Sequence, residues 1–202
     1  MVKSVPDELV SLELSWPIWS RFFSVAPLIV VGTKEADGNY DLAPKHMAMP
    51  LGWENYFGFV CTPSHRTYQN IVREQAFTVS FPRPDRVILT SLGATPRCED
   101  DSKPTLSVLP TFPASVIDSV FFKDAYLFLE CKLDRIVDGF GENSLIAGQI
   151  VAAYVQPQAL RVADRDDRDL LIQAPLLAYL PPGRYAKIEQ SFSFPFPQGF
   201  QQ

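Results

Sequence analysis

Hydrophobic residues recur at two spacings along the chain, and the changes between them mark the elements. Leu28-Ile-Val-Val31, opening after Pro27, is a short β-branched run of the strand type. Ala36-Asp37-Gly38-Asn39 supplies the small, left-handed-tolerant residues of a hairpin loop, so the chain returns as a second strand running into Leu42-Ala43-Pro44. Tyr56 to Cys61 reads as a strand packed on both faces, in which Gly58 lets a neighbour approach the backbone closely. Then the period lengthens. From Ser64 to Glu74 the apolar positions Ile71 and Val72 lie three and four residues beyond Tyr68, one face of a helix, with Ser64 as the expected N-cap. From Ala76 to Phe81 the period returns to two, with Phe77, Val79 and Phe81 on one face. Pro82 and Pro84 stop that strand, Asp85 is placed to cap a short helix over Arg86–Leu92, and Gly93 ends it.

Residues 94–113 are broken by four prolines and carry the acidic run Glu99-Asp100-Asp101. A solvated surface segment is one reading, and a lid or subunit-contact loop is the other. Ala125–Val137 and Ser144–Val155 are long strands joined by Asp138-Gly-Phe-Gly141, a curved hairpin of the kind that closes a barrel. The charged stretch Asp164–Asp169 begins a helix through Leu170–Ile172, and Pro181-Pro182-Gly183 turns the chain into a last strand, Arg184–Ile188. Residues 1–20 read as an N-terminal extension in which Trp16 and Trp19 pack, and 21–190 as one domain. Residues 191–202 read as a Phe- and Pro-rich tail suited to packing on a partner subunit. The sum is a mainly β, antiparallel, barrel-like protein with two or three short helices. Strand–helix alternation, G-x-G-x-x-G and the P-loop pattern are all missing, which disfavours a conventional nucleotide fold.

Composition narrows the class further. With 202 residues and 47% hydrophobic positions, the chain can build one core without disulfides or metals. A net charge of −5 and no Lys/Arg run argue against a nucleic-acid or anionic-membrane surface. Mean hydropathy is +0.01, and the longest early apolar run, Ala26–Val31, is far short of the ~20 residues that cross a bilayer. Met1–Ser15 carries Lys3, Asp7, Glu8 and Glu13 and so has no apolar signal core. Cys61, Cys98 and Cys131 form no C-x-x-C pair, which reads as reduced, mostly buried thiols in a cytoplasmic protein. His46 and His65 are the two histidines, and no metal site is expected from them.

The candidate chemistry gathers between Leu42 and Ile71. Thr62, Ser64, Arg66 and Thr67, with Asn70 one turn on and the open N–H groups of a helix start, offer short donors, one cation and a positive helix end. That is what a phosphate monoester requires. The same residue types also make an ordinary helix cap, and spacing alone leaves both readings open. Trp53 and Tyr56 read as core or interface aromatics, with stacking on a ring ligand as the alternative.

Taken in order, Pro27-Leu-Ile-Val-Val-Gly-Thr33, Gly38-Asn-Tyr-Asp-Leu-Ala-Pro-Lys-His46, Cys61-Thr-Pro-Ser-His-Arg-Thr-Tyr-Gln-Asn-Ile71 and Phe77-Thr-Val-Ser80 resemble the flavin reductase-like, FMN-binding split-barrel family. The resemblance runs over roughly Ser24 to Val155. It implies a six-stranded antiparallel split β-barrel, a homodimer, and FMN (or FAD) between the barrel and the partner subunit. Lys45, His46, Met47 and Ala48 would line the flavin ring and ribityl chain. Thr62, Ser64, His65, Arg66, Thr67 and Asn70 would surround the phosphate, and Tyr185 would near the site from the last strand. The implied activity is that of an NAD(P)H-dependent flavin oxidoreductase, in which hydride passes from the nicotinamide to flavin N5. Lys45 and His46, or backbone N–H groups beside them, would stabilise negative charge near flavin N1 and O2. Two departures bear on that activity. The family often has Asn where this chain has Asp41, and many members carry a His just before the late strand, where this chain reads Glu142-Asn-Ser-Leu. The alternatives are a flavin or haem carrier, sensor or electron-transfer protein without turnover, and a barrel holding an apolar ligand with no flavin.

Overall fold

The computed structural model describes residues 6, 8–163 and 165–199. Lys3, Asp7, Asp164 and the last three residues of the tail lie outside the described residues. The chain forms β1 (Ala26–Pro27), β2 (Ile29–Lys34), β3 (Tyr40–Lys45), β4 (Ala48–Pro50) and β5 (Tyr56–Cys61), and helix α1 (Arg66–Glu74) leads into β6 (Ala76–Pro82). Helix α2 (Val87–Leu92) is followed by β7 (Thr111–Pro113) and β8 (Val120–Phe122), then by the long pair β9 (Ala125–Phe140) and β10 (Asn143–Val155). Helix α3 (Asp167–Gln173), β11 (Leu176–Leu180) and β12 (Arg184–Ile188) complete the fold.

The main sheet is antiparallel with the order β3-β2-β6-β9-β10-β5-β4. It has seven strands where six were expected, because Ala48–Pro50 pairs with Phe57–Phe59 as a short edge strand. Its two edges, β3 and β4, are consecutive in the chain and separated by His46 and Met47 alone. Two intervening residues span about 11 Å at most, so the sheet must curl until its edges nearly meet. The barrel is split at that seam. Register shifts along β9–β10 supply the bend, as β-bulges do.

Period-two patterning fills the barrel. Ile29, Val31, Phe57, Phe59, Phe77, Val79, Leu129 and Ile146 point inward, and Ile71 of α1 closes one end. The opposite face of β6 is also buried, because β8 crosses it. Thr78 Oγ1 donates to the Val120 carbonyl at 2.6 Å, and the Phe122 N–H donates to Ser80 Oγ at 3.1 Å. That crossing requires Gly32, where a Cβ would come within 2.2 Å of the Val120 carbonyl oxygen. The close neighbour at Gly58 is Leu51. The segment before β8 is fixed by Glu130. Its fully buried carboxylate accepts from the N–H groups of Ser115, Val116 and Ile117 at 2.7–2.9 Å and from the Ser115 hydroxyl at 2.8 Å.

Several local expectations are corrected. Asp85 sits inside a 3-10 turn, Pro84–Arg86, and the cap position of α2 is Arg86, with no side-chain cap bond. Residues 94–113 are more than solvated loop, since they hold a 3-10 turn (Pro104–Val108), β7 and two buried-side basic anchors described below. Trp16 and Trp19 are exposed, Trp19 meeting Phe22 edge-on, and Trp53 is not a core residue of the single chain, being 98% exposed. Cys98 is exposed, whereas Cys61 and Cys131 are buried as expected.

Candidate functional site

The chain leaves β5 at Cys61 and turns through Thr62-Pro63-Ser64, where the His65 N–H donates to the Thr62 carbonyl at 3.0 Å. Helix α1 follows. Its cap residue is His65, not Ser64, and no side chain caps it. The first helical bond runs from Gln69 N–H to the His65 carbonyl, so the N–H groups of Arg66 and Thr67 are left without a partner among the described residues. The Tyr68 N–H is turned to the Cys61 thiol. A nine-residue helix thus presents an uncapped, electropositive end.

That end opens on a cavity of about 660 Å3, within the range of small-molecule sites. Lys45, Ser64, His65, Arg66 and Thr67 form one side, and residues 93–97 with Asp101 and Lys103 form the other. The walls carry four basic side chains, Lys45, Arg66, Arg97 and Lys103, against two carboxylates, Asp41 and Asp101. Neither the Ser64 nor the Thr67 hydroxyl has an intramolecular partner among the described residues. Lys45 likewise has no carboxylate partner there, and its ammonium lies beside the Cys61 thiol. Burial first, and then the charge of Lys45, hold His46 and His65 below the ordinary histidine range, so both are neutral near pH 7.

The other wall rests on an ion cluster. Asp41 is buried on β3, and Lys103 Nζ reaches its Oδ1 at 3.1 Å and the Leu42 carbonyl at 3.0 Å. Arg97 lies 3.4 Å from the same carboxylate and also pairs with Glu35. Arg66 in turn pairs with Asp101. Arg97, Asp101 and Lys103 were not among the residues expected from sequence. The one available signal was Asp41 itself, since an acid buried on a strand demands a cation, though nothing local says which.

The remaining candidates lie at varied distances from this cavity. Thr62 Oγ1 donates to the Asn143 side-chain oxygen at 3.1 Å, tying the turn to the start of β10. Asn70 is fully buried. Its amide donates to Thr33 Oγ1 at 3.0 Å and its oxygen accepts from Arg73. His46 packs on Tyr179 of β11, with ring centres 4.7 Å apart. Met47 is half exposed at the seam, and Ala48 is in the barrel core. Tyr185 lies on β12 opposite Tyr179, beside a separate cleft that it shares with Tyr126 and Lys187. Among the described residues no cluster of side chains is arranged to hold a metal ion.

Residues 21–180 match the family described as "Flavin reductase like domain". The fold is shared with 2-nitrobenzoate 2-nitroreductase of Pseudomonas fluorescens, at a TM-score of 0.76 and 19% identity over 99% of this chain and 98% of that one. It is shared equally with flavoredoxin of Desulfovibrio vulgaris (Miyazaki F), at 0.75 and 19% over 95% and 100%. A third case is an FMN-binding protein from Thermus thermophilus with bound 1-cyclohex-2-enone, at 0.74 and 19% over 92% and 99%. At these identities the likeness is one of fold.

Proposed function

The chain belongs to the flavin reductase-like family, and from that premise we propose that it binds FMN at the start of α1 and passes hydride from NAD(P)H to the flavin. The observation that carries this reading is the uncapped α1 terminus with Arg66, Ser64 and Thr67 around it and Lys45, which has no carboxylate partner among the described residues, on the same wall. This donor set fits a phosphate monoester: open N–H groups, two unpartnered hydroxyls and a surplus of positive charge. The residues holding FMN would be Ser64, His65, Arg66 and Thr67 at the phosphate, with Thr62 and Asn70 shaping the turn and helix behind them. The segment Lys45-His46-Met47-Ala48, which crosses the barrel seam, would run along the ring and ribityl chain, with Tyr185 beyond Tyr179. When bound, FMN supplies the ring that accepts and returns a hydride.

The chain's own part is positioning and charge. Lys45 offers a fixed cation to negative charge that builds on the ring, and neutral His46, packed at a tilt on Tyr179, keeps its place without adding a second charge. No nucleophile or general base is required. FAD, whose phosphates are both esterified in a pyrophosphate, would present less charge to this donor set. We further propose a homodimer across the seam, supported by exposed Met47, Met49 and Trp53 beside it. No described helix is long and apolar enough to cross a membrane.

A second reading has one observation in its favour. Where the resemblance leads one to expect a His before the late strand, this chain reads Glu142-Asn-Ser-Leu, and the Asn143 side-chain oxygen is engaged by Thr62. The protein would then carry flavin or pass electrons without oxidising NAD(P)H. Anaerobic rapid mixing of the FMN-loaded protein with NADH or NADPH separates the two. The reductase reading expects the yellow absorbance to bleach at a rate saturating in nicotinamide, and a rate no faster than that of free FMN would refute it in favour of the carrier.

A further inference from the structure

Arg66 already has an anionic partner, the carboxylate of Asp101. Asp101 reaches it from a tight turn. The Cys98 N–H donates to the Ser102 carbonyl at 2.9 Å, and the Asp101 N–H donates to the Cys98 carbonyl at 3.0 Å. The Asp100 carboxylate accepts from the Ser102 N–H at 3.0 Å and from its hydroxyl at 2.6 Å. Asp101 itself sits at φ 65°, in the left-handed region that Asp and Asn tolerate better than most residues. Both roots of the turn are anchored. Arg97 donates to the Asp101 carbonyl at 2.8 Å while pairing with Glu35 and Asp41, and Lys103 is held by Asp41. The turn is therefore an anchored arm whose carboxylate meets the guanidinium at the head of α1, with Arg97 Nε 4.0 Å from its other oxygen.

Arg66 and Asp101 line both the 660 Å3 cavity at α1 and a neighbouring one of about 690 Å3, so their pair is a partition between the two. The partition is weak. Both side chains are about half exposed, at 41% and 53%, and a pair so wetted contributes little to stability. A phosphate dianion carries more charge and more acceptor oxygens than the carboxylate it would replace. We propose that Asp101 is an internal competitor for the flavin phosphate at Arg66, tuning this protein to exchange FMN rather than retain it. The inference rests on the reading of Arg66 as a phosphate ligand. A flavin without the phosphate does not compete with Asp101 for Arg66, so the residue determines specificity for the charged tail alone.

The test is a fluorescence-quenching titration with FMN and with riboflavin on the wild type, Asp101→Asn and Arg66→Ala. Asn keeps the shape and the left-handed backbone while removing the charge, and Asp101→Gly is the second variant should Asn disturb the turn. Removing the competing carboxylate, and its repulsion of the incoming phosphate, is expected to tighten FMN by about fivefold to tenfold, with slower release, and to leave riboflavin within about twofold. Unchanged FMN affinity in Asp101→Asn, with selective FMN loss in Arg66→Ala, overturns the competitor and leaves the phosphate site standing. Equal tightening of both ligands overturns it as well, because the turn would then act on the ring. Should Arg66→Ala spare FMN, the phosphate site at Arg66 and the competitor fall together.

Discussion

Asp41→Asn keeps the shape of the side chain and removes only its charge, yet it is expected to destabilise this protein. Asp41 is 3% exposed, and the Lys103 side chain that meets it is 6% exposed. At 3.1 Å their attraction is about 5 kcal/mol for an effective dielectric of about 20, and Arg97 at 3.4 Å adds a second interaction of the same sign. Removing one partner of a buried pair costs about 3–5 kcal/mol, because the other charge stays inside uncompensated. The amide oxygen introduced by the substitution and the Leu42 carbonyl still accept from Lys103, which places the loss near the lower end, about 3 kcal/mol. For a chain of this length that lowers the melting temperature by roughly 6–12 °C, readable by thermal denaturation and by urea titration. Lys103→Met in the same background removes the stranded charge, so the double variant should recover most of the loss. Stability of Asp41→Asn within about 0.5 kcal/mol of wild type, or a double variant no better than the single, would refute the reasoning.

Three further outcomes follow from named contacts. Glu130→Gln must turn its amide nitrogen toward at least one backbone N–H of residues 115–117, orphaning a buried donor, so urea titration should show a loss of about 1–3 kcal/mol. Burial raises the pKa of Glu130, but the hydrogen bonds from Ser115, Val116 and Ile117 outweigh it and hold the group below the usual range. Its contribution is therefore complete above about pH 4.5 and is lost as pH falls further, and Glu130→Gln should flatten that part of the stability curve. His46 acts in the same direction at higher pH. Its pKa is depressed in the fold, first by burial and then by Lys45, so below about pH 6.5 the unfolded chain binds the proton more readily and stability falls; identical melting-temperature losses in wild type and His46→Gln would contradict this. Thiol titration of the native protein should modify Cys98 alone, since Cys61 is buried and burial pushes Cys131 up to about 12; fast reaction of a second thiol would count against the burial described.

Local patterns carried much of the fold in the sequence. The period change at Ser64 located α1, strict alternation located β6, and the Asp138–Gly141 link located the β9–β10 hairpin within three residues at each end. The short edge strand at Ala48–Pro50 was not legible, because three residues with one proline carry no period of their own and exist as a strand only through Phe57–Phe59. The helix caps at Ser64 and Asp85 failed for a related reason: a hydroxyl or carboxylate near a helix start is a cap only if the chain delivers it there, and at α1 the His65 backbone takes that position. The cavity wall formed by Ser64 to Thr67 could be read as a group because those residues are contiguous. The opposite side could not, since Arg97, Asp101 and Lys103 sit in a stretch whose prolines and acids look solvated until the 62 residues separating Lys103 from Asp41 are closed by folding.

The central claim places a phosphate at the head of α1, on Arg66. Phosphorus NMR of FMN titrated with the protein addresses that atom directly. The account predicts a saturable shift and broadening of the phosphate resonance with the wild type, and its loss in Arg66→Ala at concentrations where riboflavin still binds. A phosphate signal that stays sharp and unmoved while the flavin ring binds, or one unchanged by the Arg66→Ala substitution, would contradict it.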